Sequence, residues 1–433
     1  MLGSRPIGRL LWHTCSQTTL SVGVYGIYAL TNAWFVARGV GADAMAAVNL
    51  AAPVLLILGA VSTTVGAGGA SLVSRRLGAD DPAGAARATG NAFAVFWLAA
   101  ALITVTGLLA IEPLLTALGA DPATRGLTRD YTIVLLCGAI VSTGFSSLVR
   151  AEGRLRFSTM LWVIPVLVQI TLDPLLIFGL GWGVRGAALG TVGGQAVSAA
   201  MSLWFFFLQR DRPYRITQAD LRPHGPTLRA LISVGAPSFL AGFGATLVAV
   251  LVNNTLSHVG GATALAAYAV CARIQTFVMM PQLGISQGLQ PIVGYNAGRG
   301  LHHRVARART LSLGATVIYG ALAASAVIVG VGPLVALFLP DGDAATTTQH
   351  ALRLIAIGFV AAGVTPLISA YSQSLGRPAI SYAISLGTLV VVKAPLVIAL
   401  AHIGATGVWT ALALGEMLSA LVAVILLRRL RLG

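Results

Sequence analysis

The sequence predicts an all-α integral membrane protein: twelve transmembrane helices in two six-helix bundles, related by a pseudo-two-fold axis along the membrane normal. Three observations lead there: a charge-poor apolar composition, twelve apolar runs punctuated by arginine, and a repeat between the halves of the chain. Of 433 residues, 56% are hydrophobic and only 9% charged, whereas a soluble chain carries about 25% charged residues. Mean hydropathy is +0.85. The solvent this composition expects is lipid. A transmembrane helix takes about 20 mostly apolar residues, so the length holds roughly a dozen spans with short loops and leaves no room for a large soluble domain.

Polar and charged residues set the approximate ends of each run. The first run, 10–36, comes after Arg5 and Arg9 and is too long for the apolar core of a signal peptide, so it is expected to stay as the first span. The second, 44–73, stops at Arg75 and Arg76; the third, 88–111, lies between Arg87 and Glu112. The fourth, 127–149, ends at Arg150, and the fifth, 157–180, begins after Arg154 and Arg156. The sixth, 186–208, follows Arg185 and ends before Arg210. Spans seven and eight, 230–257 and 263–292, are separated at His258, and span nine, 308–339, follows Arg307. Spans ten to twelve are 351–375, 379–401 and 405–427, with Arg377, His402 and Arg428 beyond their ends.

Arginine then sets the orientation. The terminal tails and the loops after even-numbered spans hold 21 arginines against 4 in the other loops (Arg38, Arg125, Arg129 and Arg185). By the positive-inside rule both termini are cytoplasmic, in a multi-pass protein of the inner (plasma) membrane. The net charge of +15 is therefore topological. No interleaving of aromatic and basic residues points to nucleic acid. Cys15, Cys137 and Cys271 are far apart in apolar runs, which predicts small buried hydrophobes rather than disulfides or metal ligands.

A repeat runs at an offset near 220. Gly41, Ala42, Ala44, Ala46 and Ala47 recur as Gly261, Ala262, Ala264, Ala266 and Ala267; Gly78 recurs as Gly298, and Pro113-Leu114 as Pro333-Leu334. The offset drifts slightly later, where Gly153-Arg154 matches Gly376-Arg377 and Gly194-Gln195 matches Gly415-Glu416. Six spans per half make this a parallel repeat, the arrangement of two-lobed transporters. The expected division is an N-terminal lobe over 1–208, a cytoplasmic linker over 209–229 and a C-terminal lobe over 230–433.

The stretch from Asn32 to Arg87 reads NAWFVARGVGADAMAAVNLAAPV and then GASLVSRRLGADDPAGAAR. With LDPLLIFGLGWGVRGAAL from Leu172, PQLGISQGLQPIVGYNAGRG from Pro281 and GVWTALALGE from Gly407, it resembles the MATE family of multidrug and toxic-compound extrusion transporters, over essentially the whole chain. The bacterial DinF-like and MepA-like branches look most similar. The resemblance implies cation-coupled antiport, against H+ or Na+, of drug-like or metabolite organic substrates, often cationic, by alternating access. It implies no cofactor, a small organic substrate and the lipid bilayer as partners, and a monomer. One departure stands out: where many relatives carry an acidic coupling residue in the first span, this chain has Asn32, and an amide does not titrate near neutral pH.

Carboxylates inside spans are costly in lipid and are functional candidates for that reason. Asp173 is foremost, about 16 residues and hence about 24 Å into its span. Gln169 lies one turn earlier on the same face, and the pair matches the family's Asn-x-x-x-Asp position with Gln for Asn. Asp173, Gln169 and Asn32 are thus the expected ion-coupling residues, against a bland alternative in which Asp173 only caps backbone freed by Pro174. Glu416 in the last span is expected to bind substrate or to form a structural salt bridge with Lys393 or Arg273, both of which lie within spans of its lobe. Glu112, Glu152 and the Asp80-Asp81 pair read as solvated charges. Tyr28, Trp34, Phe35, Phe145, Trp162, Tyr268, Phe277 and Met280 are expected to line a substrate surface, since aromatic and methionine side chains suit varied ligands.

No nucleotide-cradling loop occurs, and no cluster of acids, histidines or metal ligands provides a catalytic or metal centre, so the chain reads as a secondary transporter and not an enzyme. Two other readings share the architecture. One is a dedicated exporter of a single metabolite; the other is a lipid or lipid-linked-saccharide flippase, for which Arg273 and Lys393 are the only cationic hints.

Overall fold

A computed structural model describes residues 2–122, 124–142, 145–340 and 342–429. Those residues are helical almost throughout, as a chain in lipid must be, because every backbone polar group needs an internal partner. Ten described helices are long and apolar enough to cross a membrane, and the bent pair Asp343–Ile357 and Phe359–Ser374 makes an eleventh. Helix α1 (Ile7–Gly39) has 33 residues, about 50 Å of helix against a hydrocarbon layer of about 30 Å. Many large apolar side chains on the spans are exposed, with Leu109 and Val329 84% and 85% uncovered, the surface expected of helices solvated by acyl chains.

The chain forms two compact units, Leu20–Gly235 and Met1–Thr19 with Ala236–Gly433. The first contains α2 (Ala42–Leu50), α3 (Ala52–Gly78), α4 (Pro82–Leu109), α5 (Ile111–Ala117), α6 (Arg125–Cys137), α7 (Ser146–Ala151), α8 (Leu155–Pro174) and α9 (Gly183–Leu203). Two cores hold it. One is aromatic, built on Phe93, Phe96, Phe145 and Phe205 with Leu148; the other joins Val36, Tyr131, Leu135, Val184 and Ala188. The second expected span is split at Ala51 because Pro53 fits only the first turn of a new helix. The fourth is interrupted by a 3-10 turn over Gly138–Val141, where a Cβ on Gly138 would meet the Val192 methyls at 2.3 Å.

The other unit contains most of α10 (Gly225–Val259), then α11 (Gly261–Gly298), α12 (His302–Val329), α13 (Val331–Ala336), α14 (Asp343–Ile357), α15 (Phe359–Ala362), α16 (Val364–Ser374), α17 (Pro378–Tyr382), α18 (Ala394–Leu400) and α19 (Ala405–Arg429). The tenth expected span bends by 43° at Gly358, 220 residues after Gly138, so both halves are broken at one repeat position. Matched glycines also share backbone form: Gly41 and Gly261 have φ of 102° and 60°, and Gly153 and Gly376 have 81° and 70°. The middle of the eleventh span is a π-helix, Ala383–Lys393. Cys271 is buried and Cys15 partly so, while Cys137, expected inside, is exposed at the end of α6.

Two helices divide between the units. The beginning of α1 belongs with the C-terminal half, where Leu10 and Leu11 share a core with Leu289 and Ile292. There Thr18 Oγ1 donates to the Gly284 carbonyl at 2.5 Å. The beginning of α10 instead packs on α3, so closely that a Cβ on Gly68 would meet the Leu231 carbonyl oxygen at 2.0 Å and one on Gly235 the Thr64 carbonyl oxygen at 1.9 Å.

Candidate functional site

Within Leu20–Gly235, helices α8 and α9 lie unusually close, for a reason written in α9. Gly186, Gly190 and Gly194 recur every fourth residue and form a side-chain-free stripe, the feature that lets membrane helices approach. Cβ atoms there would clash with the Leu176 carbonyl at 3.0 Å, with Asp173 Oδ1 at 1.9 Å and with the Pro165 carbonyl at 2.8 Å. Helix α8 ends at Pro174 and continues as a π-helical turn, Leu175–Gly179. Asp173 is therefore held at the point where α8 changes form, against Gly190 of α9, which has no side chain.

The carboxylate is 1% exposed, with Gln169 at 5% and Asn32 at 8%. Asn32 Nδ2 donates to Asp173 Oδ2 at 3.1 Å. Oδ1, buried against Gly190, has no hydrogen-bond partner among the described residues. No ion pair reaches Asp173 among them either. One turn back, Gln169 Nε2 donates to Thr191 Oγ1 at 2.9 Å, and Thr191 Oγ1 donates to the Ala187 carbonyl at 3.2 Å. The geometry thus gathers Asn32, Gln169 and Asp173, and the carboxylate does not cap the backbone around Pro174. Thr191 escapes a reading of the sequence by residue type. The signal for it is the glycine stripe, which marks the face of α9 that touches α8.

A buried carboxylate with one open oxygen and no cation is electrostatically incomplete, because burying an unpaired charge costs many kcal/mol. Such a site can take up one positive charge, and its amide and hydroxyl neighbours orient it without neutralising it.

The other expected residues are placed separately. Trp34 is 55% exposed, with the Arg38 guanidinium 5.7 Å from its ring and Phe35 edge-on at 5.1 Å. Phe35 also meets Phe178 at 6.3 Å. Trp162 is half-buried and donates Nε1–H to Ser146 Oγ at 3.0 Å. Phe145 is inside the aromatic core, 4.0 Å from Phe93. The side chain of Tyr28 lies outside the described residues.

In the other unit, Tyr268 is in a core, Phe277 is exposed and Met280 half-buried. Lys393 Nζ meets Glu416 Oε1 at 2.6 Å with both side chains partly covered. Arg273 is exposed and joins no ion pair among the described residues, so the lysine is the one that pairs.

Glu152 is placed differently from its solvated expectation. Its carboxylate is fully buried against Arg212, because the segment after α9 folds back over it.

A family model described as MatE matches residues 19–175 and 237–398. The chain is 24% identical over 436 aligned positions to the FAD transporter of Shewanella oneidensis, covering 99% of this chain and 96% of that protein. It is 27% identical to the multidrug export protein MepA of Staphylococcus aureus, covering 98% and 94%. Among solved structures, a MATE protein in complex with MaL6 superposes with a TM-score of 0.93 at 24% identity, over 99% of this chain and 97% of that one. A transporter of the MOP superfamily from Pyrococcus furiosus gives 0.92 at 24% identity, with coverage of 99% and 97%.

Proposed function

Since this chain belongs to the MatE family of membrane transporters, we propose that it is a secondary active exporter in which Asp173 is the coupling carboxylate. An organic substrate, drug-like or a metabolite, leaves the cytoplasm in exchange for a cation. The observation that carries this reading is a buried carboxylate with no ion pair among the described residues, held by Asn32 on one oxygen and open on the other. In the occluded form, taking up one cation removes the cost of burying the charge; in the open form, water solvates the anion and releases the cation. Binding energy and gradient energy are linked through that one charge.

The coupling ion in this reading is the proton. Asn32 turns its N–H, not its carbonyl oxygen, to the carboxylate, and Gln169 directs its N–H to Thr191. Asn32 thus presents a donor to the carboxylate, whereas a sodium ion would call for amide oxygens. With the arginine-rich loops inside, both termini are cytoplasmic and the exporter sits in the plasma membrane. Within Leu20–Gly235, Trp34, which is exposed, and Phe35 and Trp162, which are partly so, offer apolar contacts for substrate; in the other unit Phe277 and Met280 do so separately.

The flippase reading keeps only one of its two cations, since Lys393 is paired with Glu416 while Arg273 is exposed. Efflux of a fluorescent organic cation from proteoliposomes, under a proton gradient, a sodium gradient or neither, tests the proposal. Efflux driven by the proton gradient and lost in Asp173→Asn is expected. Sodium-driven efflux overturns the ion assignment, and full activity in Asp173→Asn overturns the site.

A further inference from the structure

The segment 209–224, between α9 and α10, is charged and polar, and by composition it reads as a loose tether. The structure holds it at two places instead. The turn from α7 into α8 and the residues after α9 carry opposite charges in register: Glu152 meets Arg212 in a buried ion pair, and Arg154 Nη2 meets Asp211 Oδ2 at 3.0 Å in an exposed one. Arg212 also donates Nε–H to Glu152 Oε2 at 3.2 Å and Nη1–H to the Phe206 carbonyl at 2.7 Å. Its guanidinium lies 4.6–4.9 Å from the ring centres of Phe205, Phe206 and Tyr214.

Tyr214 completes the enclosure. Its hydroxyl donates to Glu152 Oε1 at 2.5 Å and is 2.7 Å from Thr89 Oγ1 on α4. Burial, and then the charge of Glu152, push the phenol pKa well above its ordinary value, so the hydroxyl remains a donor. Further along, Asn91 on α4 acts as a second clasp. It donates Nδ2–H to the carbonyls of Asp220 and Arg222 at 3.0 and 3.2 Å and accepts from His224 N–H at 2.8 Å. Gly90 beside it leaves room for the Asp220 carbonyl, which a Cβ would meet at 2.4 Å.

A buried ion pair is weak evidence for stability, since desolvation offsets most of its attraction; its best-attested use is to fix one arrangement over others. Here the arrangement fixed is informative. Glu152 precedes α8, which carries Gln169 and Asp173; Arg212 follows α9, which carries Gly190 and Thr191; the chain beyond leads into α10, whose first turns pack on Gly68 before the helix passes at Gly235 to the other unit.

We propose that segment 209–224 is a transmission strap, with Glu152 and Arg212 as its positioning residues. It ties the far ends of the two helices that hold the coupling carboxylate to the first turns of α10. A change in the spacing of α8 and α9 is then passed to α10 as a displacement, not absorbed by slack. The inference rests on the transport reading above, since a strap has a role only if these helices move during turnover.

Trypsin offers a direct probe, because Arg210 and Arg215 are exposed along the strap and neither is followed by proline, and cleavage follows the population of the unlatched form. The full chain in proteoliposomes is compared with Glu152→Gln, Arg212→Lys and Asn91→Ala. Expected for Glu152→Gln are cleavage faster by about tenfold, turnover lower by a similar factor, and unchanged affinity for a fluorescent cation. Arg212→Lys keeps the charge but loses the two-pronged contact and falls between Glu152→Gln and the unaltered chain. If Glu152→Gln does not fold, Asn91→Ala, which opens only the second clasp, is read the same way. Faster cleavage with unchanged turnover overturns the proposal, and so does lost turnover with cleavage unchanged. Absence of gradient-driven efflux in the unaltered chain instead defeats the transport reading, while the cleavage comparison still reports whether the strap is latched.

Discussion

Asn32 and Asp173, 141 residues apart in sequence, meet in one hydrogen bond of 3.1 Å, and the carboxylate oxygen left over faces Gly190 without a partner among the described residues. This pairing of an amide with a carboxylate gives the site a single exchangeable charge, and the expected behaviour of its variants depends on that count.

Asp173→Asn removes the charge while keeping shape and polarity. Gradient-driven efflux is expected to fall at least about 100-fold, the loss typical of removing a group that moves a proton. Melting temperature in detergent should hold or rise, because a neutral amide is cheaper to bury than a carboxylate. Parallel efflux and thermal-unfolding measurements on the purified variant check both halves.

Asn32→Asp places a second carboxylate within hydrogen-bonding distance of the first. Two such groups do not both ionise at contact, so they titrate as a coupled pair. The expected outcome is a broadened pH dependence of efflux and a greater response to membrane potential, as the number of exchanged charges rises from one toward two. Efflux measured at clamped potassium diffusion potentials reads this directly.

Gly190→Ala puts a methyl 1.9 Å from Asp173 Oδ1, so α9 must shift. Overpacking of this kind costs about 1–3 kcal/mol, and coupling should be lost with it. Gly225→Ala, where nothing lies within 4 Å, serves as the control and should leave both properties intact. Thermal unfolding of the two variants, with proton-driven efflux alongside, distinguishes a tight contact from a general intolerance of alanine.

Lys393 and Glu416 are joined at 2.6 Å with 26% and 18% of their side chains exposed. Removing either partner leaves a partly buried charge alone, which is expected to destabilise by about 1–3 kcal/mol, below the cost at a fully buried pair. The double variant Lys393→Met with Glu416→Gln should recover most of that loss. A double-mutant cycle of unfolding free energies gives the coupling, and a value near zero would show that the pair is not a structural tie.

Much of the fold is legible in the sequence because hydropathy is a property of consecutive residues. Apolar runs long enough for lipid, arginines at their ends and a 220-residue offset all survive without knowledge of which helix touches which. Even so, the breaks at Ala51, Gly138 and Gly358 are not resolved by the pattern, since a span interrupted by a proline or a tight glycine keeps its apolar character.

At the site, composition points to Asp173, because a carboxylate in an apolar run needs a reason, and helical spacing adds Gln169. The choice of Lys393 over Arg273 is beyond it: both are cations within spans, and only the packing of the π-helical segment Ala383–Lys393 on α19 brings one to Glu416. Glu152 shows the same limit from the other side. Placed in a polar turn among arginines, it carries every mark of a solvated charge, yet Phe205, Phe206 and Tyr214 close over its partner.

The sequence by itself determined that this chain lives in a membrane, how many times it crosses, and which carboxylate stands out. The tertiary structure decided which neighbours complete that carboxylate, which charges are buried in pairs, and to which unit each half of α1 and α10 belongs. The reason is physical: solvation preference is carried by each residue and read along the chain, whereas electrostatic pairing and close packing belong to surfaces that exist only once the helices have met.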